Sequence, residues 1–322
     1  MAPLPRPLRT VTRLVDGHIR AYQPAAGATG LLSPALTCRP TADDDVVEHA
    51  VTADLRRVYY TTLDAAVRVT ADGAEVWRSE FAPRSRERYG HRPGCALSLD
   101  ERVLWIYRPD AIAGRDRPDQ WVALDADTGG VLAQADLGTV GHGGEQLPHP
   151  AGESMLLDVG EGQDGSAIYR ASLVDGRLDL VRYPWHDRIL IDLSPDGRRF
   201  MTVDHQQTDL AVHTYPDGEV TSSLAVDAFG HDPGEVFVDW YGGFLNQDTV
   251  IAALTGETED EEEWFCLYRV DARTGEPRGE FHAHAKAAHD VHPLGDGTWL
   301  TTAPSGHPIR HADPPTAPGR PA

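Results

Sequence analysis

Six histidines recur along the chain, at His49, His91, His142, His186, His231 and His289, separated by 42, 51, 44, 45 and 58 residues. Five have an acid close by, namely Glu48, Glu145, Asp187, Asp232 and Asp290, whereas His91 is followed by Arg92. Neutral imidazole and carboxylate are ligand types suited to zinc, iron and manganese, and a carboxylate can also fix the tautomer of a ligating ring from outside the coordination sphere. Brought together, His49, His142, His186, His231 and His289 would hold one divalent transition-metal ion. An open coordination position would then make it a Lewis acid or a source of activated water. The competing role is structural. His91 precedes Asp100 by 9 residues, and His142, His186 and His231 precede Gly152, Asp196 and Tyr241 by 10 each. A constant offset to the following turn is what a repeated scaffold role predicts. His49 and His289 depart from it, standing 5 and 7 residues before Asp54 and Asp296.

Other residues widen the choice of ligand. Trp185, Trp240 and Tyr241 could line a pocket by stacking. In FHAHAKAAHDVH, residues 281–292, alternation places His282 and His284 on one strand face, with His289 and His292 following on a turn. An acidic run, Glu257, Glu259, Asp260, Glu261, Glu262 and Glu263, reads as a solvated loop between two strands, available to a cation or a basic partner segment. No GxSxG, P-loop or GxGxxG pattern occurs, so serine hydrolysis and nucleotide binding have no positive support.

Composition narrows the partners. The 322 residues carry 29 Lys and Arg against 50 Asp and Glu, a formal charge of −21, which opposes broad contact with nucleic acid or an anionic membrane surface. The N-terminus lacks the apolar stretch of a secretory signal, and no apolar run is long enough to span a bilayer, so a cytoplasmic location is expected. Cys38, Cys95 and Cys266 are odd in number and far apart, which predicts buried thiols.

The elements that must position these residues are short strands. In ALSLDERVLWIYRP and the following WVALDADTGGVLAQADLG, β-rich runs alternate with turns, and DTG supplies a hairpin. That last hairpin returns around Gly73, Gly129, Gly176, Gly218 and Gly275, at steps of 56, 47, 42 and 57 residues. A unit of four short strands repeating every 40–50 residues or so is the size of a propeller blade.

With LSPDG at 193–197, LSLDE at 97–101, ALDADTGGVL at 123–132 and Gly-His at 90–91, 141–142 and 230–231, the chain resembles the WD40 and quinoprotein-like β-propellers over about residues 45–312. The resemblance implies an all-β, single β-propeller of four-stranded blades. Inner strands are expected near Val46, Gly94, Glu145, Arg188, Gly234 and Ala287, giving six blades. Seven is the alternative if residues 9–40 contribute to another. The last unit lacks an outer strand, so residues 1–40 are expected to close the ring by completing it, with residues 41–312 forming the blades and residues 313–322 a disordered Pro-rich tail. In such proteins the Gly-His histidine often bonds within its blade to an aspartate between the middle strands, a place where Asp64, Asp164 and Asp209 fall. The functional expectation is a binding module presenting a channel mouth rich in histidine and carboxylate to a protein or small-molecule partner. The alternative is a metal-dependent lyase, hydrolase or oxygenase acting on a small molecule at that mouth.

Overall fold

A computed structural model describes residues 10–42, 44–185, 187–258, 260 and 262–313. The described residues form seven antiparallel sheets arranged as the blades of one propeller. Blade 2 shows the common pattern, with Glu48–Val51 paired to Arg57–Thr61, then Ala65–Thr70, then Glu75–Glu80. Blades 3, 4, 5 and 6 repeat it, their inner strands being Gly94–Leu97, Gly143–Pro148, Arg188–Leu193 and Val236–Asn246. Inner strands of successive blades lie against one another around the central channel.

Seven blades rather than six follow from the N-terminal segment. Val11–Val15, His18–Tyr22 and Leu36–Cys38 make a three-stranded blade 1, and the intervening Gly30–Leu31 leaves it to pair with Pro308–Ala312 as the outer strand of blade 7. The segment therefore both closes the last blade and supplies another one. The missed inner strand is VTRLV, whose apolar residues at 11, 14 and 15 flank Arg13 and resemble a charged terminus more than a core strand. Blade 7 begins at His292–Pro293, five residues beyond the expected Ala287, because residues 288–290 form a 3-10 turn first. The expected disordered tail lies outside the described residues, apart from Asp313.

The repeat has a physical cause in the turn between the first two strands of a blade. Thr52, Ser98 and Ser194 donate their hydroxyls to Asp54, Asp100 and Asp196 at 2.6, 2.6 and 2.8 Å. Each hydroxyl also accepts the N–H five residues on, from Arg57, Val103 and Arg199, at 3.1, 3.0 and 2.9 Å. The residue after each aspartate takes positive φ, 61° at Leu55, 57° at Glu101 and 71° at Gly197. At His91 and His142 the offset to the following turn therefore measures an inner strand crossing the ring, whereas Tyr241, 10 residues after His231, lies inside the inner strand of blade 6 and ahead of its turn. His91 precedes its strand on the upper face, and Asp100 follows it on the lower.

Apolar clusters fill the spaces between neighbouring blades from 1–2 through 6–7. The seam between blades 7 and 1 is polar instead. The Tyr22 hydroxyl meets His307 Nδ1 and Arg20 meets His307 Nε2, both at 2.7 Å. Buried Arg310 donates to Thr298 Oγ1 at 3.0 Å, to Asp296 at 2.6 Å and to the Ala25 carbonyl.

Candidate binding site at the channel mouth

The channel wall is acidic on one side. Glu145 stands directly opposite Asp158 on the next strand, so both side chains share a face of blade 4. Asp158 is buried and bridges to blade 5, accepting the Ser166 hydroxyl at 2.6 Å and the Leu190 N–H at 3.3 Å. Burial pushes its carboxyl up to about 7, and the Glu145 charge adds to this. Glu145 is exposed to the channel, yet protein surrounds it on most sides, and that loss of solvation together with the charges of Glu48 and Asp192 pushes it up to about 7. Asp192 accepts the Phe244 N–H at 2.7 Å. A Cβ on Gly243, whose φ is 133°, would lie 2.6 Å from that carboxylate, so only glycine permits the approach.

The opposite side mixes signs. His49 bonds Thr12 Oγ1 at 3.0 Å, and desolvation lowers its proton affinity against the pull of Glu48. His292 is pushed down to about 4 by desolvation and then by the Arg13 charge. Arg13 itself is lowered by burial, with Asp290 and Glu48 opposing. At neutral pH these rings are uncharged, leaving Arg13 among carboxylates.

Two aromatic side chains leave the inner strand of blade 6. Its inner strand loses pairing between Val238 and Gly242, so Asp239, Trp240 and Tyr241 bulge from the sheet. Trp240 leans toward blade 5, donating Nε1–H to the Asp204 carbonyl at 3.3 Å and stacking on His205 with ring centroids 5.7 Å apart. Tyr241 leans the other way and meets His289 edge-on at 5.9 Å. Trp240, Tyr241 and Phe237 remain 38%, 43% and 44% exposed. Enclosure raises the Asp239 carboxyl between them.

Tyr241 and His289 are thus brought together on one side, and Trp240 meets His205 on the other. The histidine period does not reveal His205, which lies in the turn between the second and third strands of blade 5. The remaining candidates stand apart. His91 is buried, with Nε2 3.3 Å from the Ser85 hydroxyl. His142 Nδ1 meets the Gly90 carbonyl at 2.8 Å, and His231 Nε2 meets the Tyr268 hydroxyl at 2.9 Å. Trp185 stacks on Tyr183 at 5.1 Å and belongs to the packing between blades 4 and 5. Asp187 accepts the His205 N–H through its backbone carbonyl, Asp232 accepts the Gly234 N–H at 2.9 Å, and Asp290 ends the 3-10 turn. His186 lies outside the described residues. Among the described residues no three His, Cys, Asp or Glu side chains gather in a way that could hold a metal ion.

Seven four-stranded or three-stranded sheets around a channel, each passing its chain to the next, define a β-propeller. Solved structures agree with this fold. The chain is similar to the hydrazine synthase structure from Kuenenia stuttgartiensis, at 10% identity and TM-score 0.57, covering 97% of each chain. It is similar to the Dos1 propeller, at 11% identity and TM-score 0.55, over 94% of this chain and 83% of that one. BamB from Moraxella catarrhalis matches at 13% identity and TM-score 0.52, over 95% and 81%. At these identities the likeness is one of fold. By sequence, neither a known family nor a curated protein matches the chain. Among the described residues no helix is long and apolar enough to cross a membrane.

Proposed function

We propose that this protein is a binding module that receives a protein partner at the upper mouth of the channel, on the side of blades 5 to 7. The observation carrying this reading is the bulge at Asp239–Tyr241, which leaves Trp240 and Tyr241 exposed beside Phe237. Exposed aromatic side chains on a rigid frame are favoured at protein interfaces, because they bury large areas while losing little conformational freedom. The histidines described above are occupied by contacts within and between blades, in keeping with a scaffold role. Glu48 and Asp290 add negative charge at the mouth, which suits a partner of opposite sign and speeds its approach.

The test compares the proteins that co-purify from native cells with three forms of the chain. Wild type and a lower-face variant, Asp175→Asn with Asp217→Asn and Glu219→Gln, should retain one stoichiometric partner. Trp240→Ala with Tyr241→Ala should lose it. Retention by the aromatic variant, or no stoichiometric partner for the wild type, would overturn the reading.

A further inference from the structure

Blade 6 is taller than its neighbours. Its second and third strands, Thr249–Glu257 and Glu263–Asp271, run nine residues each, against six in the matching strands of blade 5 and five in those of blade 7. Its lower turn is level with both neighbours, because Gln247 accepts the Asp196 N–H at 3.1 Å and the Arg199 side chain at 2.7 Å, and the Leu245 carbonyl accepts the Gly297 N–H at 2.7 Å. The additional residues therefore rise from the upper face, by roughly 10 Å at about 3.3 Å per residue.

Register fixes what this projection carries. Phe237 lies opposite Thr255, and Thr255 opposite Phe265, making one row across the sheet. Two residues along, on the same face, Glu257 lies directly opposite Glu263. Like charges in that position repel. Both are exposed, and neither makes an ion pair among the described residues. Phe237 lies one row below this pair and diagonal to Glu257, with 44% of its surface free. An exposed phenyl face next to two unneutralised carboxylates matches a guanidinium, which stacks on the ring and donates in a planar fork to carboxylate oxygens. A lysine ammonium would satisfy the charge but not the plane.

We propose that the projecting face of blade 6 docks an extended, arginine-containing segment of a partner protein. One guanidinium bridges Glu257 and Glu263 over Phe237, and the neighbouring residues of the segment lie along Tyr241 toward the channel mouth. This rests on the binding-module reading and gives its partner a chemistry.

The probe is a short peptide alternating arginine and alanine, titrated calorimetrically into the full chain at low salt, with the same peptide bearing lysine as its comparison. The arginine peptide should bind more tightly than about 1 mM, the weak end of measurable affinity, and at least about threefold more tightly than the lysine peptide. Glu257→Gln with Glu263→Gln should weaken it at least about tenfold while leaving the thermal midpoint equal or higher, since the mutual repulsion is gone. Phe237→Leu should erase the preference for arginine. The lower-face acid variant should bind as wild type does. Absent binding, equal loss in the lower-face variant, or indifference to the double substitution would each overturn the proposal. If wild type keeps its native partner and Trp240→Ala with Tyr241→Ala loses it while this peptide fails, the docking chemistry is wrong and the binding-module reading stands.

Discussion

Glu145 and Asp158 hold protons that ordinary carboxylates release. Their ordinary values are 4.5 and 3.8, and in the folded chain both stand at about 7. Between those values the folded protein keeps protons the unfolded chain has lost, so this contribution to stability is present in full below the ordinary values and disappears as pH rises through 7. Asp158→Asn, which removes the charge and keeps an acceptor for Ser166, should raise unfolding stability at pH 8 by about 1–3 kcal/mol and flatten the alkaline side of the profile. Urea titrations at a series of pH values check this. His213 acts with the opposite sign. It is fully buried, bonded to Thr202 Oγ1 at 2.8 Å and to the Gly218 carbonyl at 3.1 Å, and burial lowers it from 6.5 to about 4. As pH falls through 6.5 the unfolded chain takes its proton first, so stability present above 6.5 is lost toward 4. The same titrations should show His213→Gln with a shallower acid limb than wild type, by about 2–3 kcal/mol across that window.

At the level of strands and turns, hairpin glycines and Ser/Thr-x-Asp turns carried most of the legible signal. Gly73, Gly129, Gly176, Gly218 and Gly275 all take positive φ between 73° and 88°, which is why a two-letter turn pattern located five blades. The lower-face turn of blade 5 gives a direct test. A Cβ on Gly197 would sit 2.4 Å from His149 Nε2 at a φ that side chains avoid, so Gly197→Ala should cost about 2–4 kcal/mol by chemical denaturation. The bulge at Asp239–Tyr241 was less legible. Trp240 and Tyr241 stood out as aromatics, but nothing in VFVDWYGGFLN announces which residues leave the ladder, since Val236, Val238 and Phe244 alternate as in any strand. Period alone also placed His231 with the channel histidines, whereas Tyr268 holds it against the third strand of blade 6.

For the whole molecule, the ring closes through its least apolar seam. Six interfaces are sealed by apolar clusters, while blades 7 and 1 meet through Arg310, His307 and the short pairing of Gly30–Leu31 with Ile309 and Arg310. Blade number was hard to read for the same reason, because the N-terminal segment is split between two sheets and its inner strand contains Arg13. Arg310→Met should cost about 1–3 kcal/mol, since it removes the donors to the Ala25 carbonyl and to one oxygen of Asp296, which keeps its bonds from Thr298. Hydrogen exchange should show Gly30–Leu31 and Pro308–Ala312 opening before the central strands of blade 6, with the substitution widening the gap.

The propeller supplies a rigid frame, and blade 6 raises an aromatic and acidic edge above it. A photoreactive amino acid placed at Tyr241, and separately at Glu219 on the lower face, tests that division inside native cells. Irradiation should give a discrete adduct with one protein from position 241, suppressed by Glu257→Gln with Glu263→Gln, and none of that protein from position 219. The same adduct from position 219, or none from position 241, would contradict recognition at the upper mouth.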